Sequence, residues 1–363
     1  MTNLPTSILF PTMAVGSLPR PRWVQEVIEQ RRAGHISERE ADALLDAAIP
    51  AAIAMQQRAG LDFISDGEWR RESYIKVFSE AVDGFEQNLL VFGKELKTTL
   101  RYPAAVAKLS PRRPLTVDAT AFLAKHAQAK LNVTLPSPHT ISHRMWSSQH
   151  STDVYPTRES FVNACVPIIR QEIQQLVQLG VQAVQLDDPC LLMLIDPAYR
   201  ERFDITDLHH EIDVSVQSIN EAIAGIENVF FSFHLCRAHH NRTHAVKGPY
   251  DLIMGDLARI NVDRFAMEFA TPDAEGIEVL KDFPGDKILG LGVIDQTDKH
   301  VETPQEVVDR VEAAMQYVPK ERITLNTDCG FAPSNTNPMD FDEAYLKLKA
   351  MCQGAALLRQ KYG

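Results

Sequence analysis

Short apolar or β-branched runs alternate along this chain with longer stretches whose apolar residues recur at helical spacing. The runs are MAVGSL (13–18), LDFISDGE (61–68), LNVTLPSP (131–138), VQAVQLDD (181–188), NVFFSFHLC (228–236), RFAMEFA (264–270), KILGLGVID (287–295) and RITLNTDCG (322–330). Eight strands are therefore predicted. The helices between them have legible ends. Ser37 and Glu40 make an S-x-x-E capping box ahead of a long apolar-periodic stretch, and Thr303, Pro304 and Glu306 make a second one. ESFVNACVPIIRQEIQQLVQLG closes on Gly180, while Pro50 predicts a kink in one helix and Pro167 an interruption in another.

Strands that alternate with helices imply parallel pairing through crossovers, and eight such units are the number that closes a (β/α)₈ TIM barrel. An open doubly wound sheet is the competing α/β architecture. No linker or repeat divides residues 1–363, so a single catalytic domain is expected. The stretch from about 80 to 130, between strands 2 and 3, is too long for a simple connection. It is expected to be an insertion holding a hairpin (LLVFGKELKTTLRYP) and a helix (TAFLAKHAQAKL).

Polar residues gather at the C-terminal ends of the runs: Ser17, Glu68, Ser137, Asp187, His234, Cys236, Glu268, Asp295 and Cys329. In a barrel those ends share one rim, where active sites are built. His234 and Cys236 are two apart on a strand and so share a face. Cys329 is a natural third metal ligand, and Glu268 either completes the set or leaves when substrate arrives. Such ligands suit Zn²⁺. Two thiolates and a carboxylate leave the zinc electron-rich, a poor source of hydroxide but a good holder of a substrate thiolate, which points to alkyl transfer to sulfur rather than hydrolysis. The bland alternative is that buried cysteines are ordinary core residues, as Cys165, Cys190 and Cys352 are expected to be. His239, His240 and His244 read as loop residues, solvated or structural, with metal or substrate contact as the alternative.

Composition narrows the partners. The formal net charge of −11 argues against nucleic acid, and no apolar run approaches the length of a membrane span. The start, MTNLPTSILF, lacks the basic region of a signal peptide, and five scattered cysteines do not form a disulfide framework. A reducing cytoplasm is the expected location.

HLC (234–236), MEFA (267–270) and NTDCGF (326–331), in that order, resemble the catalytic barrel of cobalamin-independent methionine synthase. The likeness extends to VGSLPRP (15–21), SDGEWRRESY (65–74), QLDDP (185–189) and LGLGVIDQTDKHVETPQEV (289–307). It implies zinc on His234, Cys236, Glu268 and Cys329. It also implies that Ser17, Glu68 and Asp187 contact the amino-acid part of a homocysteine-like thiol, with a methyl-folate as alkyl donor. Glu68 and Asp187 are suited to an ammonium group, unless arginines such as Arg70 or Arg71 neutralise them. The pattern departs from the family at three points. There is no room for the family's additional N-terminal barrel. Met193 stands where a glutamate contacts the pterin. Thr297 occupies the place of the proton-donating histidine, with His300 three residues on as the substitute.

The same motifs resemble the epoxyalkane:coenzyme M transferases, in which a thiolate opens an epoxide and arginines hold a sulfonate. Arg20, Arg22, Arg70, Arg71, Arg144 and Arg237 are available near strand ends, with Arg144 and Arg237 best placed for an anion and Trp146 for packing over a flat group. A barrel that binds without catalysis is the remaining alternative. The donor, assembly into a homo-oligomer, and closure of the 237–250 loop over substrate are left open by the sequence; some short relatives take methyl groups from a protein-bound cobalamin.

Overall fold

The computed structural model describes residues 6–92, 100–271, 276–333 and 338–363. Its strands in chain order are β1 (Thr12–Met13), β2 (Phe63–Ile64), β3 (Val82–Phe92), β4 (Leu100–Pro111), β5 (Lys130–Pro136) and β6 (Ala183–Asp187). They continue with β7 (Phe230–Leu235), β8 (His239–His240), β9 (Thr243–His244), β10 (Arg264–Met267), β11 (Ile288–Ile294) and β12 (Ile323–Thr327). Eight of them close a barrel in the order β1-β2-β5-β6-β7-β10-β11-β12 and back to β1. Every neighbouring pair in the barrel is parallel. The closed (β/α)₈ barrel is therefore the architecture, and the open sheet is excluded.

Each predicted run overlaps one barrel strand, but the hydrogen-bonded ladders are shorter than the runs. Residues past Met13 leave the ladder and bond elsewhere: Val15 N–H donates to Thr327 Oγ1 at 3.3 Å and Leu18 N–H to the Gly67 carbonyl at 3.0 Å. The polar ends of the runs thus become rim loops, free to bend toward a common centre.

Within the barrel, Met13, Phe63, Ala183, Phe230 and Ile288 form a compact apolar cluster, and the larger core lies between the strands and the surrounding helices. One cation lies in this interior. Arg264 donates to Ser232 Oγ at 2.8 Å, Thr324 Oγ1 at 2.7 Å and Asn326 Oδ1 at 2.5 Å, so hydrogen bonds replace the water it has lost. Gly290 makes room for it, since a Cβ there would stand 2.5 Å from a guanidinium nitrogen.

Both capping boxes form, on Ser37–Glu40 and on Thr303–Glu306. Pro167 corrects the expectation of an interruption, and Pro50 likewise lies inside an unbroken helix. The helix Glu38–Ala59 runs through Pro50, and the helix Arg158–Gln178 runs through Pro167. Each proline forfeits one backbone donor, and the buried face on both sides, including Leu45, Ile49 and Ile53 in the first helix and Phe161, Ile169 and Ile173 in the second, outweighs that loss.

Between β2 and β5 the chain leaves the barrel. β3 and β4 pair antiparallel, from Val82 opposite Pro111 to Phe92 opposite Leu100; the turn expected between them lies outside the described residues. The helix Val117–His126 follows, earlier than the expected TAFLAKHAQAKL, because Lys130 already belongs to β5. Its N-terminus is held by Glu172, whose carboxylate accepts the N–H groups of Leu115, Thr116 and Val117 at 2.9, 2.6 and 3.0 Å. Leu100 and Tyr102 on β4 reach the wall of the cavity at the barrel mouth. No helix among the described residues is long and apolar enough to cross a membrane.

Candidate metal centre and substrate cavity

The register of β6 against β7 sets the site. Asp187 pairs with His234 as Leu186 pairs with Phe233, so the last residue of β6 lies beside the imidazole of β7. His234 Nδ1 is 3.0 Å from Asp187 Oδ1. An ionised carboxylate only accepts, so Nδ1 carries a proton, and Nε2 is the nitrogen left to give a lone pair to a metal ion in place of its own proton. That Nε2 is buried without a hydrogen-bond partner. Ligand atoms of His234, Cys236 and Cys329 lie within 4.8 Å of one another, all three residues being buried.

An orphaned imidazole nitrogen, oriented by a carboxylate and grouped with two sulfurs, fits a zinc-class ion. The sulfurs are already electronically unequal. A hydrogen bond from Cys329, helped by the charge of His234 and opposed by burial, holds the Cys236 thiol below the usual thiol range; Cys329 is pushed up by that bond and by burial.

Glu268, expected as a fourth ligand, lies outside this group. Its Oε2 accepts the Arg237 backbone N–H at 3.0 Å and the Arg237 guanidinium at 2.9 Å, and its Oε1 is 3.5 Å from His244 Nε2. Burial opposes ionisation there, but His244 and Arg237 prevail and hold the carboxyl at about 2. Arg237 is correspondingly unavailable to a substrate anion. It is fully buried, donates to the Gly248 carbonyl at 3.1 and 2.6 Å, and stacks 4.7 Å from the Tyr250 ring centre.

A cavity opens above the three ligands. Its wall includes Ser17, Glu68, Tyr74, Tyr102, Arg144 and Asp187. Glu68 takes a left-handed backbone conformation at φ +59°. Its Oε1 accepts from Thr134 Oγ1 at 2.6 Å and lies 3.3 Å from Arg71, while its Oε2 is buried without a partner. Neutralisation by Arg71 is thus partial. Burial raises the Glu68 carboxyl, Arg71 lowers it, and Asp187 raises it again. Ser17 sits where the loop after β12 meets the loop after β1. Its Oγ accepts from Ala332 N–H at 3.2 Å, and a Cβ on Gly330 would collide with it.

Of the arginines considered for an anion, only Arg144 lines the cavity among the described residues. Arg20 donates to the carbonyls of Ala332 and Glu68, Arg22 pairs with Glu26, and Arg70 pairs with Asp46. Met193 lines the cavity as well, its sulfur 3.5 Å from Arg144 Nη2. Trp146 stands off this wall, its indole N–H donating to the Tyr155 carbonyl at 2.9 Å. Thr297 and His300 also lie away from it. Thr297 Oγ1 donates to Asp295 at 2.6 Å, and exposed His300 pairs with Glu306 at 3.1 Å. His300 is held at the start of the following helix by that pair, so it is not at the reacting end of the cavity.

Sequence reasoning left the role of three histidines open and passed over two tyrosines. His239, His240 and His244 form the small β8–β9 hairpin after Cys236, all three are buried, and His239 and His240 line the cavity. Their non-periodic setting reads as a loop, and only the hairpin shows that they turn inward. Tyr74 closes the SDGEWRRESY stretch without being singled out there, and Tyr102 arrives from the insertion.

The fold and the site together define a class: a (β/α)₈ barrel with a sulfur-rich candidate metal centre at its C-terminal mouth. The family described as Cobalamin-independent synthase, Catalytic domain, matches residues 10–356, and the chain belongs to it. Curated relatives agree in length and order. Methionine synthase of Saccharolobus solfataricus is 29% identical over 99% of this chain and 97% of its own, and that of Sulfurisphaera tokodaii 28% over 99% and 95%. Among solved structures, a B12-independent methionine synthase from Shewanella in complex with selenomethionine superposes with a TM-score of 0.80 at 22% identity, covering 97% of this chain and 98% of the other. A putative vitamin-B12-independent methionine synthase from Listeria monocytogenes gives 0.73 at 21%, covering 97% and 99%. These structures share the fold.

Proposed function

We propose that this enzyme methylates the sulfur of homocysteine or a closely similar amino thiol, with Zn²⁺ held by His234, Cys236 and Cys329. The observation that carries the reading is the unpartnered His234 Nε2, oriented by Asp187 and grouped with two buried sulfurs. When bound, the zinc supplies Lewis acidity that lets a thiol lose its proton near neutral pH while remaining nucleophilic.

The chain's own residues do the rest. Glu68, whose Oε2 has no partner, and Asp187 present acidic oxygens to an ammonium group, and Ser17 completes that end of the cavity. The buried setting strengthens such charge recognition. Arg237 and His244 retain Glu268 as a carboxylate beside the metal ligands, a reserve ligand for the state without substrate. Tyr74, Tyr102 and Arg144 line the same cavity and are the groups left to face the alkyl donor. A cytoplasmic location, where free thiols persist, belongs to this reading.

Acidic rather than arginine-rich surroundings favour an amino thiol over a sulfonated one. Addition of such a thiol to an epoxide is therefore the second reading, kept by Arg144 alone. The deciding assay offers a panel of thiols to the zinc-loaded protein with methyl-folate, methylcobalamin and epoxides in turn. Methylation of homocysteine by either methyl donor is expected. Turnover confined to an epoxide would replace the first reading by the second.

A further inference from the structure

The helix Pro138–Met145 carries His139 and His143 four residues apart, on one face and both fully buried. Their Nε2 atoms converge on a single oxygen of Glu211, from the helix Leu208–Ile223: 3.1 Å from His139 and 2.8 Å from His143, with 3.1 Å between the two nitrogens. The opposite nitrogens are both engaged. His139 Nδ1 is 3.0 Å from each oxygen of Asp188, and His143 Nδ1 is 2.9 Å from the Tyr199 hydroxyl. Asp188 is itself fixed by Thr140 Oγ1 at 2.7 Å and Ser215 Oγ at 2.9 Å. The other oxygen of Glu211 accepts from Arg158 at 2.5 Å. None of the three converging residues lines the substrate cavity.

We propose that His139, His143 and Glu211 form a second metal site, for a zinc-class divalent ion, on the outer side of the barrel wall. Three physical arguments support it. First, two imidazole nitrogens and a carboxylate oxygen in mutual contact bring lone pairs together, so a cation or a proton must lie among them. Second, tetrahedral zinc with bonds of about 2.1 Å separates its ligand atoms by about 3.4 Å, so the observed spacings need to open by only a few tenths of an ångström. Third, the outer contacts are those that orient metal ligands: a carboxylate on the far nitrogen of one histidine, a hydroxyl on the other, a guanidinium on the carboxylate.

Of the three, Glu211 alone reaches toward solvent. Glu211 and Arg158 line a surface pocket with Asp204, Asp207 and His210. The set lacks sulfur, so it is not a second thiol-activating centre, and its burial suits a structural ion. That ion ties two barrel helices to Asp188, whose N–H donates to the His234 carbonyl at 3.0 Å. The rim segment that carries Asp187 is thereby fixed from outside.

Metal content decides the matter. Protein from zinc-supplemented growth, freed of loose metal, is expected to hold two zinc equivalents per chain. The Cys236→Ser/Cys329→Ser variant retains one, and adding His143→Gln removes it. Cobalt in the double-cysteine variant is expected to give ligand-field absorption without a sulfur-to-cobalt charge-transfer band. A single equivalent in the wild type, lost with the cysteines and indifferent to His143→Gln, overturns the proposal and assigns the buried cluster to a proton. A single equivalent lost with His143→Gln and indifferent to the cysteines upholds it and sinks the mouth site instead. Wild-type stoichiometry and the His143→Gln variant with its cysteines intact are enough to separate these outcomes, so a cysteine variant that fails to fold does not leave the question open.

Discussion

Asp187 and His234 are register partners on adjacent parallel strands, and the carboxylate of one lies 3.0 Å from Nδ1 of the other. Backbone pairing therefore places the orienting carboxylate where a metal-binding imidazole needs it. Asp187→Asn is expected to weaken zinc binding by roughly 10- to 100-fold, the usual cost of losing such a contact, with the circular dichroism spectrum unchanged. Competition with a chromogenic chelator measures it. Unaltered zinc affinity in a folded variant would mean that His234 does not need Asp187 to present Nε2.

Cys236 follows β7 and Cys329 follows β12, yet the two share one hydrogen bond and one ligand group. Cys329→Ser, or exhaustive chelation of the wild type, is expected to abolish thiol alkylation. Zinc should restore the chelated wild type and leave the variant inactive. Full turnover by the variant with no metal at the mouth would refute thiol activation at these residues.

Glu68 offers the cavity an unpartnered carboxylate oxygen. Glu68→Gln removes its charge while keeping its shape, and the loss of one charge-assisted contact, about 2 kcal/mol, corresponds to a roughly 30-fold rise in KM for the amino thiol. A thiol lacking the amino group should be insensitive to the substitution. Equal effects on both thiols would remove Glu68 from ammonium recognition.

Gly292 on β11 packs where a Cβ would collide with Asp328 Oδ1 and stand 2.7 Å from the Met267 carbonyl oxygen. Asp328 accepts the N–H groups of Phe269, Ala270 and Thr271, each within 3.0 Å, so this contact shapes the loop that carries Glu268. Gly292→Ala should cost about 1–3 kcal/mol, the range for overpacked interiors, and weaken zinc binding alongside. Thermal melts with and without zinc test this; an unchanged melting temperature would show that the loop yields freely.

The alternation of runs, both capping boxes and the H-x-C spacing were legible because each depends on residues near one another in the chain. Pro167 was misleading for the complementary reason: local propensity opposes an unbroken helix there, and the buried face that preserves it belongs to the tertiary packing. Arg237 looked like an anion receptor because a sequence cannot show that Glu268, the Gly248 carbonyl and Tyr250 already surround it.

By itself the sequence determined a chain of strand–helix units with chemically active side chains at the strand ends, since period and capping are short-range properties. Only the closed barrel decided which of those side chains meet. Closure turns distances along the chain into neighbours around a ring, and burial then selects among them. His234, Cys236 and Cys329 are left facing one another, Glu268 is drawn to Arg237 and His244, and His139 and His143 are brought to Glu211.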